Sequence, residues 1–177
     1  MSKYTAKQQQ SAWRDYLDEI DFTNSYAITL TYSKSGLSET RKEATHRGGF
    51  SNPVERFRTA LVSNLDNYLH RLNKHIFKNA YTRKRTENWK PKKLKCFPVM
   101  EGNGVEKREH FHLALWKPEW MDDFSFEAIT DLFWLKGDVD FQKETKGHWK
   151  DYLTKLYSKD YRLETFTDAV IVELITL

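Results

Sequence analysis

Two histidines stand two residues apart, at His110 and His112, with a carboxylate, Glu101, upstream of them. Imidazole nitrogen and carboxylate oxygen are donors that hold divalent ions. In an extended chain a spacing of two puts both imidazoles on one face, and Phe111 and Leu113 on the other. Gly102, Asn103 and Gly104 favour a turn between Glu101 and the histidines. If the flanking segments pair as a hairpin, Glu101 comes beside both rings. Two nitrogens and a carboxylate leave coordination positions open, an arrangement suited to Lewis-acid work on a phosphate. A bare His-x-His pair fits a solvated strand face equally well; the hairpin and Glu101 favour the metal. Glu106 and Glu109 read as solvated turn residues. His70 and His75 are five apart on a helical pattern, on different faces, and are not counted as ligands.

A second candidate lies in HWKDYLTKLYSKD. Tyr152 and Lys155 are three apart and share a helical face. A phenol is a poor nucleophile at neutral pH, and a neighbouring ammonium would help it. The alternative is an amphipathic helix in which Trp149, Leu153 and Leu156 pack and Tyr152 sits at the rim. Tyr157 and Tyr161 compete for the role, but Tyr157 faces away from Lys155.

The net charge is +4, and its distribution says more than its total. Between Arg71 and Lys95 stand Arg71, Lys74, Lys78, Arg83, Lys84, Arg85, Lys90, Lys92, Lys93 and Lys95 against one acid, Glu87. Tyr81 and Trp89 lie in the same run. Cations with interspersed aromatics suit a single nucleic-acid strand, through phosphate contacts and base stacking; a solvated loop is the plainer reading. Arg71, Arg83, Lys84, Arg85, Lys92 and Lys93 are the candidate DNA contacts. The stretch from Glu119 to Asp140 is acidic instead. The lone cysteine, Cys96, cannot form an internal disulfide, and neither a membrane span nor a secretory leader is apparent. A cytoplasmic protein is expected, in a bacterium or a virus-infected cell.

Elements must hold these groups in place. Lys7 to Ile20 reads as an amphipathic helix with Trp13, Leu17 and Ile20 on one side. SYAITLTY, Ser25 to Tyr32, reads as a buried strand, and Ser33 to Phe50 as a long loop. Asn52, Pro53 and Glu55 then start a helix expected to run to about Lys78. Leu94–Met100 and His110–Trp116 read as strands, Ser125–Leu135 as a helix, Asp138–Glu144 as a strand and His148–Lys159 as a helix. The apolar tail AVIVELITL fits either strand or helix. The pattern predicts an α+β fold with an antiparallel-rich sheet and helices packed on it.

The ordered set resembles the motifs of the HUH endonucleases. The His-apolar-His element is His110-Phe111-His112, the tyrosine motif is Tyr152-Leu153-Thr154-Lys155, and SYAITLTY resembles the first motif of rolling-circle replication initiators. A closer likeness, to replication-protein-like products of filamentous phages and prophages, rests on YLHRLNKHIF, LKCFPVMEGNG, EHFHLALWKP and YLTKLYSK. The resemblance implies one domain over residues 1–177 with an RNA-recognition-motif-like core, a helical extension at 1–24 and a C-terminal extension at 160–177. It implies Glu101, His110 and His112 as ligands of Mg²⁺ or Mn²⁺, Tyr152 as the nucleophile that keeps a 5′-phosphate, and Lys155 as its electrostatic support. The substrate would be single-stranded DNA at a replication origin. Phage members often carry two tyrosines four apart; here position 156 is Leu, which implies a single-tyrosine enzyme. No GxxxxGK loop occurs, so a helicase and a polymerase would come from the host. A transposase or mobilisation relaxase of the same fold, or a non-catalytic nucleic-acid-binding module, are the rival expectations.

Overall fold

The computed structural model describes residues 6–46, 52–82, 90–102, 108–143 and 170–177. In chain order these form α1 (Ala6–Asp18), β1 (Ser25–Tyr32), α2 (Lys34–His46), α3 (Pro53–Phe77), the short α4 (Asn79–Thr82), β2 (Cys96–Glu101), β3 (His110–Trp116), α5 (Asp123–Phe133), β4 (Gly137–Lys143) and a 3₁₀ turn at Val172–Leu174. The fold is α+β, with a four-stranded antiparallel sheet in the order β2-β3-β1-β4. Arg83, Lys84, Arg85, Trp89, Glu106 and the whole segment carrying Tyr152, Lys155, Tyr157 and Tyr161 lie outside the described residues. Among the described residues no helix is long and apolar enough to cross a membrane.

Chain contacts divide the protein into two compact units. The first comprises residues 1–30, 95–120 and 140–177. Its centre is the hairpin of β2 and β3, paired antiparallel with Phe97 opposite Ala114, Val99 opposite His112 and Glu101 opposite His110. Opposed residues share a face. Half of that face is apolar: Phe97, Val99, Ala114, Trp116 and, from β1, Ala27 pack against Leu17 of α1, Phe22 and Val170. Trp13, Ile20 and Ile175 close the cluster at its margin. Burying a side chain such as Leu17 or Phe97 contributes about 1.5–3 kcal/mol, which makes α1 a structural part of the sheet. The tail does not form a helix. Val170 bridges to Val99 and Thr176 to Cys96, so it runs along β2 with a 3₁₀ turn between the two bridges. Pro98, which has no N–H, takes part as an acceptor, receiving the Ile171 N–H at 3.2 Å.

The second unit comprises residues 31–94 and 121–139. Its long helix α3 begins as its residues dictate, with Asn52 at the N-cap accepting from the Val54 N–H at 2.9 Å and Pro53 in the first turn. Leu61, Leu65, Leu69, Leu72 and Ile76 are buried, whereas Val54, expected on the same stripe, is exposed at the first turn. Residues 34–46, expected as loop, are instead the helix α2. Ser33 caps it, its Oγ accepting from the Gly36 N–H at 3.0 Å. Gly36, Thr40 and Ala44 are buried at four-residue intervals. Small residues at that spacing form a helix face for close packing, which serine and glycine content alone does not distinguish from a loop. Gly36 is required by space: a Cβ there would lie 2.1 Å from the Lys136 carbonyl oxygen. Trp134 seals the unit, packed edge-on to Tyr32 and Tyr68 with its Nε1–H donating to the Thr31 carbonyl.

Candidate metal centre

The sheet face that is apolar beneath α1 turns polar towards the β2–β3 turn, because alternation carries Phe97 and Val99 on to Glu101, and Ala114 on to His112 and His110. The register sets His110 directly opposite Glu101. His110 Nε2 and His112 Nε2 each lie 3.1 Å from the same oxygen, Glu101 Oε2. The two rings stand perpendicular with centroids 4.7 Å apart. Glu101 and His112 are buried, and His110 is partly exposed. The three residues come together as expected: their donor atoms converge within 4.8 Å, and they form the one group among the described residues that could hold a metal ion. His70 and His75 lie elsewhere, the first 2.9 Å from the Tyr81 hydroxyl and the second against the Phe133 ring.

The remaining nitrogens explain why the cluster suits a cation. His110 Nδ1 lies 2.7 Å from the Arg108 carbonyl, which only accepts, so Nδ1 carries a proton and Nε2 is the nitrogen left to offer a lone pair to an ion. His112 Nδ1 lies 3.1 Å from Thr29 Oγ1 on the neighbouring strand β1, and a hydroxyl can accept there in the same way. Both lone pairs then face a carboxylate oxygen. Acceptors held at that distance repel unless a proton or a metal ion lies among them. Donor atoms each about 2.1 Å from a common ion and roughly at right angles are about 3 Å apart, close to the separations observed. Burial disfavours the charged form of Glu101; with protons on the facing Nε2 atoms, hydrogen bonds and charge from His110 and His112 outweigh it and hold the carboxyl well below its ordinary range, and a bound ion would take the place of those protons. The carboxylate is therefore kept ionised and ready to ligate.

Gly102 follows β2 with φ +111°, and a Cβ there would lie 2.6 Å from the Arg108 carbonyl oxygen. This close crossing sets the carbonyl that orients His110. It also corrects the expectation for Glu109, which is not solvated: the backbone packs against Gly102, and the Glu109 side chain is 5% exposed. Its Oε2 is buried with no hydrogen-bond partner among the described residues. Thr29 was not singled out in the sequence. The signal for it is a polar residue in the middle of SYAITLTY on the face shared with Ala27.

The described part of the basic run is anchored and exposed. Lys90, Lys92, Lys93 and Lys95 are all exposed. The Lys92 N–H donates to the Ala80 carbonyl at 3.0 Å, and the Leu94 N–H donates to Oδ1 of the buried Asn73 at 2.7 Å. Arg71 donates from one guanidinium nitrogen to the Phe133 carbonyl at 3.2 Å and is partly buried. Tyr81 is half-buried, and burial followed by the charge of Asp66 raises its hydroxyl pKa. Comparisons with known proteins give no match to a family model, a curated protein or a solved structure.

Proposed function

We propose that the protein is a metal-dependent endonuclease that nicks and rejoins single-stranded DNA through a tyrosine, in the manner of an initiator of rolling-circle replication. The observation that carries this reading is the convergence of Glu101, His110 and His112 at the polar end of a sheet face, with each imidazole Nδ1 engaged by a neighbouring oxygen. The three side chains would hold the ion, and Thr29 and the Arg108 carbonyl would fix the ring tautomers. Mg²⁺ or Mn²⁺ is the ion proposed, and when bound it supplies charge to polarise a scissile phosphate. Open coordination positions are what a phosphate substrate needs.

In this reading Tyr152 attacks the phosphorus. An Oη–P bond forms and the P–O3′ bond breaks, so the 5′-phosphate stays on the enzyme and the 3′ oxygen leaves as a hydroxyl after taking a proton. Lys155 supports the phenolate as it loses its proton to solvent or base. Attack by a 3′-hydroxyl reverses the sequence and rejoins the strand. The exposed lysines of residues 90–95 would contribute affinity for the backbone of the substrate.

The test is an incubation of the protein with single-stranded oligonucleotides of varied sequence and Mn²⁺, followed by mass spectrometry of the trapped adduct. Wild type forms a phosphonucleotide on Tyr152. Tyr152→Phe binds metal and DNA but forms none, and Tyr157→Phe retains most activity. An adduct on Tyr157 or Tyr161 would move the nucleophile and keep the enzyme class. No adduct on any tyrosine of a metal-loaded protein would remove the nuclease reading.

A further inference from the structure

α5 turns Phe126 and Thr130 inward, where both are fully buried and the Tyr68 hydroxyl donates to the Thr130 carbonyl at 3.2 Å. A surface helix ordinarily presents polar side chains outward. α5 presents Phe124 at 82% exposure and Leu132 at 64%, and just past its end Leu135 at 70%. Ala128 is exposed between them. Positions 124, 128 and 132 recur every four residues and form one stripe along the helix. Glu127, partly exposed, and Asp131, exposed, are four apart and lay two carboxylates beside that stripe. An exposed apolar strip rimmed by charge marks an interaction surface.

We propose that the outward face of α5 docks a basic amphipathic helix of a partner protein, which sets aliphatic side chains over Phe124, Leu132 and Leu135 and lysines or arginines against Glu127 and Asp131. The charge selects this occupant. A second copy of the chain meeting stripe to stripe would bring both pairs of carboxylates into one interface. Nucleic acid would bring phosphates to the same carboxylates. A helix with cations flanking an apolar seam satisfies both the carboxylates and the stripe. The inference stands on α5 alone and is independent of the nuclease reading.

The test titrates the full chain with a labelled leucine–lysine amphipathic peptide of about four turns. A scrambled peptide of the same composition and a leucine–glutamate counterpart serve as controls. Wild type binds the leucine–lysine peptide and prefers it to both controls. Phe124→Gln and Leu132→Gln each weaken binding by about tenfold, and neither lowers the thermal midpoint. Equal binding of the scrambled peptide, or no binding by wild type, overturns the proposal. A dimer seen by sedimentation and dispersed by Leu132→Gln assigns the stripe to a second copy and also overturns it. A lowered midpoint without peptide binding assigns the stripe to the chain's own residues, with the same consequence.

Discussion

Thr29 holds His112 at the nitrogen that does not face Glu101. If its hydroxyl fixes the tautomer, Thr29→Val keeps the strand and its packing but loosens the ligand. Mn²⁺ affinity measured by calorimetry should then fall about 10- to 100-fold, while the circular dichroism spectrum stays that of wild type. His110→Ala and His112→Ala should lose metal binding altogether, and equal binding by both variants and wild type would dissolve the site. Protons compete with the ion at the imidazoles, so affinity should decline as the solution is acidified. Glu101 follows its own linkage. Its folded-state pKa is depressed, so the carboxylate contributes stability above its ordinary value of 4.5 and loses that contribution as pH falls through the folded value. Metal-free Glu101→Gln should therefore show a flatter acid limb than wild type in urea unfolding as pH falls below 4.5.

At the scale of elements, the contact between α2 and the turn before β4 is held by space more than by charge. Lys136 Nζ reaches Glu39 at 3.2 Å and Glu43 at 3.0 Å, and although burial opposes its charge, those two carboxylates raise its pKa. Both glutamates are exposed, and such pairs contribute about 0–1 kcal/mol. Gly36 admits no side chain, with the Lys136 carbonyl 2.1 Å from where a Cβ would sit. Gly36→Ala should force α2 away and cost about 1–3 kcal/mol despite the better helix propensity of alanine. Glu43→Gln should cost less than about 1 kcal/mol. Urea titrations of the two variants check the order, and a neutral Gly36→Ala would mean the helix yields freely there.

For the whole molecule, opposite charges are segregated along the chain, basic from Arg71 to Lys95 and acidic from Glu119 to Asp140, within a net charge of +4. Total charge would say little about a nucleic-acid partner, whereas a local basic run sets a salt slope. Replacing Arg83, Lys84, Arg85, Lys92 and Lys93 together by glutamine should flatten the dependence of log affinity on log salt for single-stranded DNA. The contribution should be largely independent of DNA sequence. An unchanged slope would make the segment a solvated loop.

The hairpin site was legible in the chain itself, because a spacing of two fixes the face of His110 and His112 and a glycine-rich turn after Glu101 fixes where the partner strand returns. The strand at Ser25–Tyr32 and the capped start of α3 were legible for the same reason: period and caps are local properties. What local pattern could not supply is contact across distance. Thr29 and His112 are 83 positions apart, and only strand adjacency makes one orient the other. α2 looked like loop because its buried face is built from Gly36, Thr40 and Ala44, residues whose burial depends on what packs there. Glu109 looked solvated because it follows a polar turn, yet the close crossing at Gly102 buries it. Periodicity selects the face of a residue, but tertiary packing decides what that face meets.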